Sequence, residues 1–449
     1  MFALITIHVI LPWAATKCAP WPARLSNVRL DPLRPPLRGC DVKPDNAFYF
    51  IRQVHNITTG FPAADWTNFE QTGLVEGSYT NLSAWFELNS TNISLLQKAS
   101  LVDTCQVATC VSFETPLTYL QPLRALSRTL CFNAEATAST NDWLEAFKSW
   151  RTVLIANAHV SRGGPLLNQV LMYADIGICC ESIRRIALTT GIPITESRQL
   201  LPLLESTDND MEPFSESLRY ERLVVQDFIP KVYQEGASAF YIFTGEKKKP
   251  VIWYKRLDNI IRSAFPERMG SSVSITSNHI DDIYSRIIDI ESNPNCTSRF
   301  GKEIVTFFQY KSAITFFNDP RGRIIARLTI PALSPSAYNR FLRANTELRT
   351  TRIHLAVQLY RKDHNGEIPD NLQVLVPSYL PDIPNDPFTE NSNMSYRVSN
   401  GVWTVYSVGP DQKDDHGNFN YSTNRYDQAD ICYPSDEYQR KLQKFRDSH

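Results

Sequence analysis

Nine cysteines and eight histidines are the side chains here best suited to metal binding, redox chemistry or proton transfer, and their spacing limits what they can do. Zinc sites are commonly built on close thiolate pairs such as Cys-x-x-Cys. Cys18, Cys40, Cys105, Cys110, Cys131, Cys179, Cys180, Cys296 and Cys432 include no such pair and are too dispersed. Cys105 and Cys110 are near enough to close a small disulfide loop in an oxidising compartment, and the odd total leaves at least one thiol unpaired within the chain. Cys179 and Cys180 fall in an apolar helical run, which predicts small core residues. A serine nucleophile on a sharp elbow requires Gly-x-Ser-x-Gly, and Gly236-Ala237-Ser238-Ala239 lacks the closing glycine. No His-Glu-x-x-His, phosphate loop or dinucleotide fingerprint occurs. His159, His279 and His354 lie far apart in sequence, so only tertiary structure can bring them to a serine or a carboxylate. His279-Ile280-Asp281-Asp282 reads as a helix start with acids in its first turn. The Asn-x-Ser/Thr triplets at Asn56, Asn81, Asn89, Asn92, Asn295, Asn393 and Asn420 matter only in a eukaryotic secretory host.

A chain of 449 residues predicts two or three domains with a sizeable interior. Lys+Arg 46 against Asp+Glu 47 leaves a formal charge of −1, which removes the electrostatic pull of nucleic-acid binders, so no nucleic-acid partner is expected. Residues 1–17 are apolar apart from His8, two threonines and Lys17, followed by small residues in the manner of an export signal. They have no basic residue before Lys17 and are too short to span a bilayer, so they read as a hydrophobic leader or the remnant of an anchor. Lys17 before Cys18 argues against lipidation. Residues 18–44 form a proline-rich linker (Pro20, Pro22, Pro32, Pro35, Pro36).

A helical body is expected over 45–334. Thr115-Pro116 reads as a cap and first-turn proline before a stripe of Leu123, Leu126 and Leu130. Trp143, Phe147, Trp150 and Leu154 make a second stripe, read as core rather than a ligand cage. After Gly163-Gly164 a third stripe runs through Leu167, Val170, Leu171, Ala174 and Ile178, predicting an antiparallel hairpin. Further helical patterns cover about 195–206, 214–235, 256–265 and 279–291. Lys247-Lys248-Lys249 reads as a solvated loop. The body is thus an array of packed helical hairpins, solenoid-like, with no tetratricopeptide or ankyrin period.

Residues 335–449 form a second unit. Tyr338 to Lys362 predicts a long helix whose apolar residues thicken toward its end, so that this end must be buried on more than one side. Asn365-Gly366 stops it. Leu372, Leu375 and Val376 give a short helical turn, and Pro377, Pro381, Pro384 and Pro387 then exclude regular structure. Met394, Tyr396 and Val398 alternate, Asn400-Gly401 supplies a tight turn, and Val402, Thr404 and Tyr406 alternate again: a β-hairpin. The fold class is therefore α+β.

The run Leu355-Ala356-Val357-Gln358-Leu359-Tyr360-Arg361, then Gly366-Glu367-Ile368-Pro369, Leu375-Val376-Pro377, Tyr379-Leu380, Pro384-Asn385-Asp386-Pro387-Phe388, Tyr396-Arg397 and Tyr406-Ser407-Val408-Gly409, resembles the globular domain of the major pseudopilin of type II secretion. Upstream, Ser161-Arg162-Gly163-Gly164-Pro165 and Asn318-Asp319-Pro320-Arg321-Gly322 resemble a group of uncharacterised bacterial envelope proteins that join a helical body to such an end. The resemblance implies an extracytoplasmic, periplasmic protein, associated with the inner membrane through its N-terminus if at all. A pilus subunit is not implied: the equivalent helix lies deep in the chain and carries Arg340, Arg343, Arg349 and Arg352, which are costly at membrane depth.

The resemblance also implies a calcium loop. Asp411 matches the aspartate of the family's Ser-x-Gly-x-Asp motif, here Ser407 to Asp411, and Asp430 resembles a second ligand position. Asp414 and Asp415 add carboxylates between them, the hard oxygen ligands calcium takes. Lys413 breaks the EF-hand pattern. The functional expectation is a non-catalytic protein whose partner is another protein, in assembly or contact related to secretion. The competing reading is an extracytoplasmic hydrolase with its site between body and C-terminal domain.

Overall fold

The computed structural model describes residues 42–55, 80–107, 117–235, 273–291, 335–389, 391–399, 401–417 and 430–433. The leader, most of the linker, Gly236 to Ala239, the triple-lysine run, the helical pattern at 256–265, residues 318–322 and the triplets at Asn56, Asn295 and Asn420 lie outside them.

Three helices make the centre. Helix α4 (Leu120–Ser139) carries Pro122 in its first turn, where a missing N–H costs no helical bond. The first-turn proline is thus Pro122, and Thr115-Pro116 lies outside the described residues. The stripe Leu123, Leu126, Leu130 is fully buried, as the spacing requires. Asp142 caps α5 (Trp143–Ser161) by accepting from Glu145 N at 3.3 Å. Helix α6 (Leu166–Thr189) returns antiparallel and ends at Gly191, whose φ of 76° and N–H bond to Ile186 O (2.8 Å) form a left-handed terminus. The short helices α1 (Phe48–Ile51), α2 (Thr80–Leu88) and α3 (Ser90–Ala99) cover this unit from the α5 side.

Beyond it come α7 (Ile194–Asp210), α8 (Phe214–Glu235), α9 (Val273–Glu291) and α10 (Pro335–Asp363). Helix α9 starts six residues before His279, so this histidine and its acids lie in mid-helix. Asp281 is not a dipole partner there: it reaches α8, bonding Arg222 Nε at 2.6 Å and Gln226 Nε2 at 2.7 Å. Helix α10 returns from far along the chain to lie against α6, its most extensive helix contact, and against α7.

Helix α10 feeds all three apolar clusters. Ala344, Leu348 and Leu355 join the large cluster of α1 to α7. Ala337, Tyr338 and Leu342 join that of α8 and α9. Ile353, Ala356 and Val357 join that of the C-terminal strands. Residues 350–357 are buried without interruption, the all-round burial expected of its second half. Three of its arginines meet carboxylates within the fold: Arg343 faces Glu347 (3.8 Å), Arg349 binds Asp208 (2.9 Å) and Arg352 binds Glu205 (2.7 Å). These last two pairs tie α10 to α7.

After α10, Asn371 caps a 3₁₀ turn at Leu372–Leu375, and three antiparallel strands follow in the order β1 (Ser395–Ser399), β2 (Val402–Ser407), β3 (Ile431–Tyr433). The expected hairpin is present, with Val398 opposite Trp403 and Gly401 at φ 74°. In β2, however, the core-facing members are Trp403 and Val405, packed with Ile353, Ala356 and Val357, rather than the alternate set Val402, Thr404, Tyr406. As the central strand, β2 is covered on both faces from Trp403 to Ser407, so alternation could not say which face looks to α10.

Candidate functional site

Two neighbourhoods gather the polar chemistry of the described residues. The first is the end of β2 and the acidic loop behind it. Asp386, in the Pro384-Asn385-Asp386-Pro387-Phe388 run, is buried, and its carboxylate accepts three hydrogen bonds: Phe388 N (3.0 Å) and Ser407 Oγ (2.7 Å) on Oδ1, Val408 N (2.9 Å) on Oδ2. Prolines on both sides suppress competing backbone donors, so the side chain ties the irregular loop to the strand. Sequence reasoning gave this aspartate no role beyond the resemblance, although its place between two prolines was a signal for such a turn.

The four loop aspartates divide by burial. Asp411 is half-buried, its Oδ1 accepting Lys413 N at 3.2 Å, while Asp414 and Asp415 are exposed, Asp414 accepting His416 N at 2.7 Å. Asp430 is buried where β3 begins: Oδ2 accepts Gly417 N at 2.7 Å, and the Asp415 backbone also donates to this carboxylate. Burial raises its pKa to about 6, and the charges of Asp414 and Asp415 add to the rise. The structure thus brings Asp414, Asp415 and Asp430 into electrostatic reach of one another. Among the described residues, no three His, Cys, Asp or Glu side chains converge as a metal ion requires.

The second neighbourhood is the Gly163-Gly164-Pro165 corner between α5 and α6. Gly163 has φ 71°, and a Cβ on Gly164 would stand 2.2 Å from Asn168 Nδ2, so both positions require glycine. Carboxylates from outside the hairpin hold the corner. Gly163 N donates to Glu212, and Leu166 N, the first of α6, donates to Glu221 at 3.2 Å. A carboxylate there satisfies an orphan N–H and meets the positive end of the helix dipole. Burial nevertheless pushes the Glu221 pKa up to about 7, and Tyr284, fully buried nearby on α9, is raised by the same cause and by Glu221's charge.

From this corner a ladder of polar groups climbs the inside of α6. Asn168 Nδ2 donates to the Tyr119 hydroxyl (2.7 Å) and Gln169 Nε2 to Ser161 O (3.2 Å). Asp175 follows, fully buried, with Arg124 Nε 3.9 Å away and Ser127 and Arg128 beside it. Its burial outweighs both cations and raises its pKa to about 7. Trp150 Nε1 then donates to Ser182 Oγ at 2.9 Å. Arg185 stands between Glu135 (3.9 Å) and Glu181 (3.2 Å), and Arg184 binds Glu347 (2.6 Å) and Thr351 Oγ1 (2.6 Å) on α10. Apart from Trp150, no sequence pattern marked these residues, because Asp175 and Arg184 sit amid an apolar stripe.

The histidines occupy separate settings. His159 Nε2 bonds Val102 O (2.8 Å), and burial lowers its pKa to about 4. His354 is wholly buried on α10 against the Trp403 ring (centroids 4.7 Å apart), its pKa lowered to about 3. His279 lies on α9. Trp150, Cys179 and Cys180 are core residues, as expected; Cys105 is a buried thiol, and Cys110 lies outside the described residues. Among the described residues no helix is long and apolar enough to cross a membrane. No protein-family model, curated protein or solved structure matches the chain, so its function must be argued from this geometry.

Proposed function

We propose that this is a non-catalytic extracytoplasmic protein that binds another protein, with the hairpin of its C-terminal end as the docking element. The observation that carries the reading is the placement of that hairpin. Helix α10 is built into every apolar cluster, Arg349 bonds both Asp208 of α7 and Asn385 O of the proline loop (3.0 Å), and the hairpin projects from this rigid base. Val398 and Val402 flank its turn and are 43% and 40% exposed. Strand β1 has no neighbour on its outer edge among the described residues, which leaves backbone groups for a partner to pair. The resemblance of residues 352–417 to a pseudopilin domain supports a setting in secretion or assembly, and the apolar leader supports an extracytoplasmic one.

The acidic loop is the part of this end that would take calcium. Asp430, buried with two like charges beside it, is the best-suited ligand, and Asp411, whose Oδ1 accepts Lys413 N within its own turn, the least.

The test is crosslinked affinity capture from the native envelope with the full-length protein and with Val398→Lys/Val402→Lys. Deleting everything from residue 335 would be uninformative, because loss of Leu348 and Leu355 opens the main core. Partners lost only from the double variant support docking through the hairpin. Partners that persist move recognition to the helical body, and an empty capture from the wild type overturns the reading.

A further inference from the structure

Cys131 on α4 and Cys179 on α6 meet in the centre of the three-helix unit. Both are fully buried in the same apolar cluster. Their level is fixed by a chain of contacts through all three helices: Cys179 Sγ points to Trp150 O (3.7 Å), Trp150 Nε1 donates to Ser182 Oγ (2.9 Å), and Ser182 Oγ donates to Cys131 O (3.4 Å). The Cys131 side chain is also a neighbour that acts on the Cys179 thiol. Cys180, about 100° further round the helix, is also within electrostatic reach of Cys131, but its side-chain hydrogen bond is to Thr351, with Arg184 and Glu347 beside it at the α10 side.

We propose that Cys131 and Cys179 are an oxidisable dithiol, closed to an interhelical disulfide when the chain folds against a disulfide-bearing oxidant. One cysteine, as thiolate, attacks a sulfur of the oxidant's disulfide and releases one oxidant thiol. The second cysteine then attacks the sulfur of its partner in this mixed disulfide, forming the Cys131–Cys179 bond and releasing the second oxidant thiol. The two cysteines together give up two protons and two electrons, and the oxidant's disulfide is reduced to two thiols. A disulfide brings two sulfurs to about 2 Å, so these two side chains, neighbours at one level of facing helices, must close together to form it. The exchange belongs to folding, before α4 closes on α6, because the finished core admits no oxidant to either sulfur. The bond would join α4 to α6 across the α5 connection and so restrict the unfolded chain.

The experiment refolds the reduced, full-length chain from denaturant in a mixture of oxidised and reduced glutathione. The product is unfolded again in an alkylating agent and digested with trypsin. The expected result is one species in which the peptides 129–148 and 163–184 are linked, about 2 Da below the sum of their masses, with one cysteine of the second peptide alkylated. Linkage should survive in Cys180→Ser and vanish in Cys179→Ser. Recovery of both peptides fully alkylated and unlinked would overturn the proposal, as would linkage through Cys180 or linkage to any other cysteine. The wild-type digest decides the matter even where a variant fails to fold.

Discussion

Asp175→Asn should stabilise the protein, and increasingly so as pH rises. Asp175 is fully buried, and burial lifts its pKa to about 7 against the attraction of Arg124 and Arg128, whereas in the unfolded chain an aspartate titrates near 4. Between these values the folded protein holds a proton that the unfolded chain has released. Raising the pH therefore favours unfolding: the group's contribution is fully present below about pH 4 and lost as pH climbs through 7. From pH 5 to pH 8 the loss spans about two pH units, or ~2.7 kcal/mol at 1.36 kcal/mol per unit. Asparagine is nearly isosteric with the neutral acid and does not titrate. Glu135 and Glu221, raised to about 7 by burial, share the slope, but they are common to both proteins and cancel in the comparison. The assay is urea unfolding at pH 5 and pH 8, followed by tryptophan fluorescence, Trp150 lying in the same core. The gain of the variant over the wild type should widen by about 2–3 kcal/mol between the two pH values. An unchanged gap, or a variant less stable at pH 8, would mean that Asp175 is ionised in the fold as a true partner of the arginines, and would refute the reasoning.

Three further outcomes follow from the same geometry. His354 is held neutral with a pKa of about 3, so its contribution is present above pH 6.5 and lost as pH falls; His354→Leu should protect the protein by about 3 kcal/mol on going from pH 7 to pH 4, measured by denaturant titration. Asp386→Ala strands Phe388 N, Val408 N and the Ser407 hydroxyl, and should cost about 3–5 kcal/mol in thermal unfolding, with Asp386→Asn intermediate because one acceptor oxygen survives. Gly164→Ala drives a methyl into Asn168 and should break its bond to Tyr119, for a loss of about 1–3 kcal/mol and a lower melting temperature.

The opposing signs of these titrations shape the response to acid. His159 and His354 disfavour the fold as pH drops below about 6.5, while Glu135, Asp175, Glu221 and Asp430 favour it over much of the same range. The four carboxylates outweigh the two histidines, which act only below about pH 6.5, so stability should rise as pH falls from 7 to 5, with the histidines offsetting part of the gain.

Hydrophobic periodicity made much of this architecture legible. Leu123, Leu126 and Leu130, the aromatic stripe around Trp150 and the double glycine at 163–164 mark α4, α5 and the turn into α6, because burial of one helical face repeats every 3.6 residues whatever the partner. Asn400-Gly401 likewise marked the hairpin. Where that local signal was weak, the reading failed: the start of α9 was placed at His279 because the acids there resemble a first turn, whereas Asp281 is set by Arg222 across the α8 interface. The inward parity of β2 was equally hidden, since a strand covered on both faces carries no alternation.

The sequence by itself determined the helices, the hairpin, the near-zero charge and the glycines at the α5–α6 corner, all properties that neighbouring residues impose on one another. Only the tertiary structure decided that α10 belongs to three cores at once, that its arginines answer Asp208, Glu205 and Glu347, and that Asp175, Asp386, Cys131 and Cys179 acquire their partners. The physical reason is range: backbone propensity and periodic burial act over a few residues, whereas ion pairs, desolvation and thiol contacts depend on side chains brought together from distant parts of the chain.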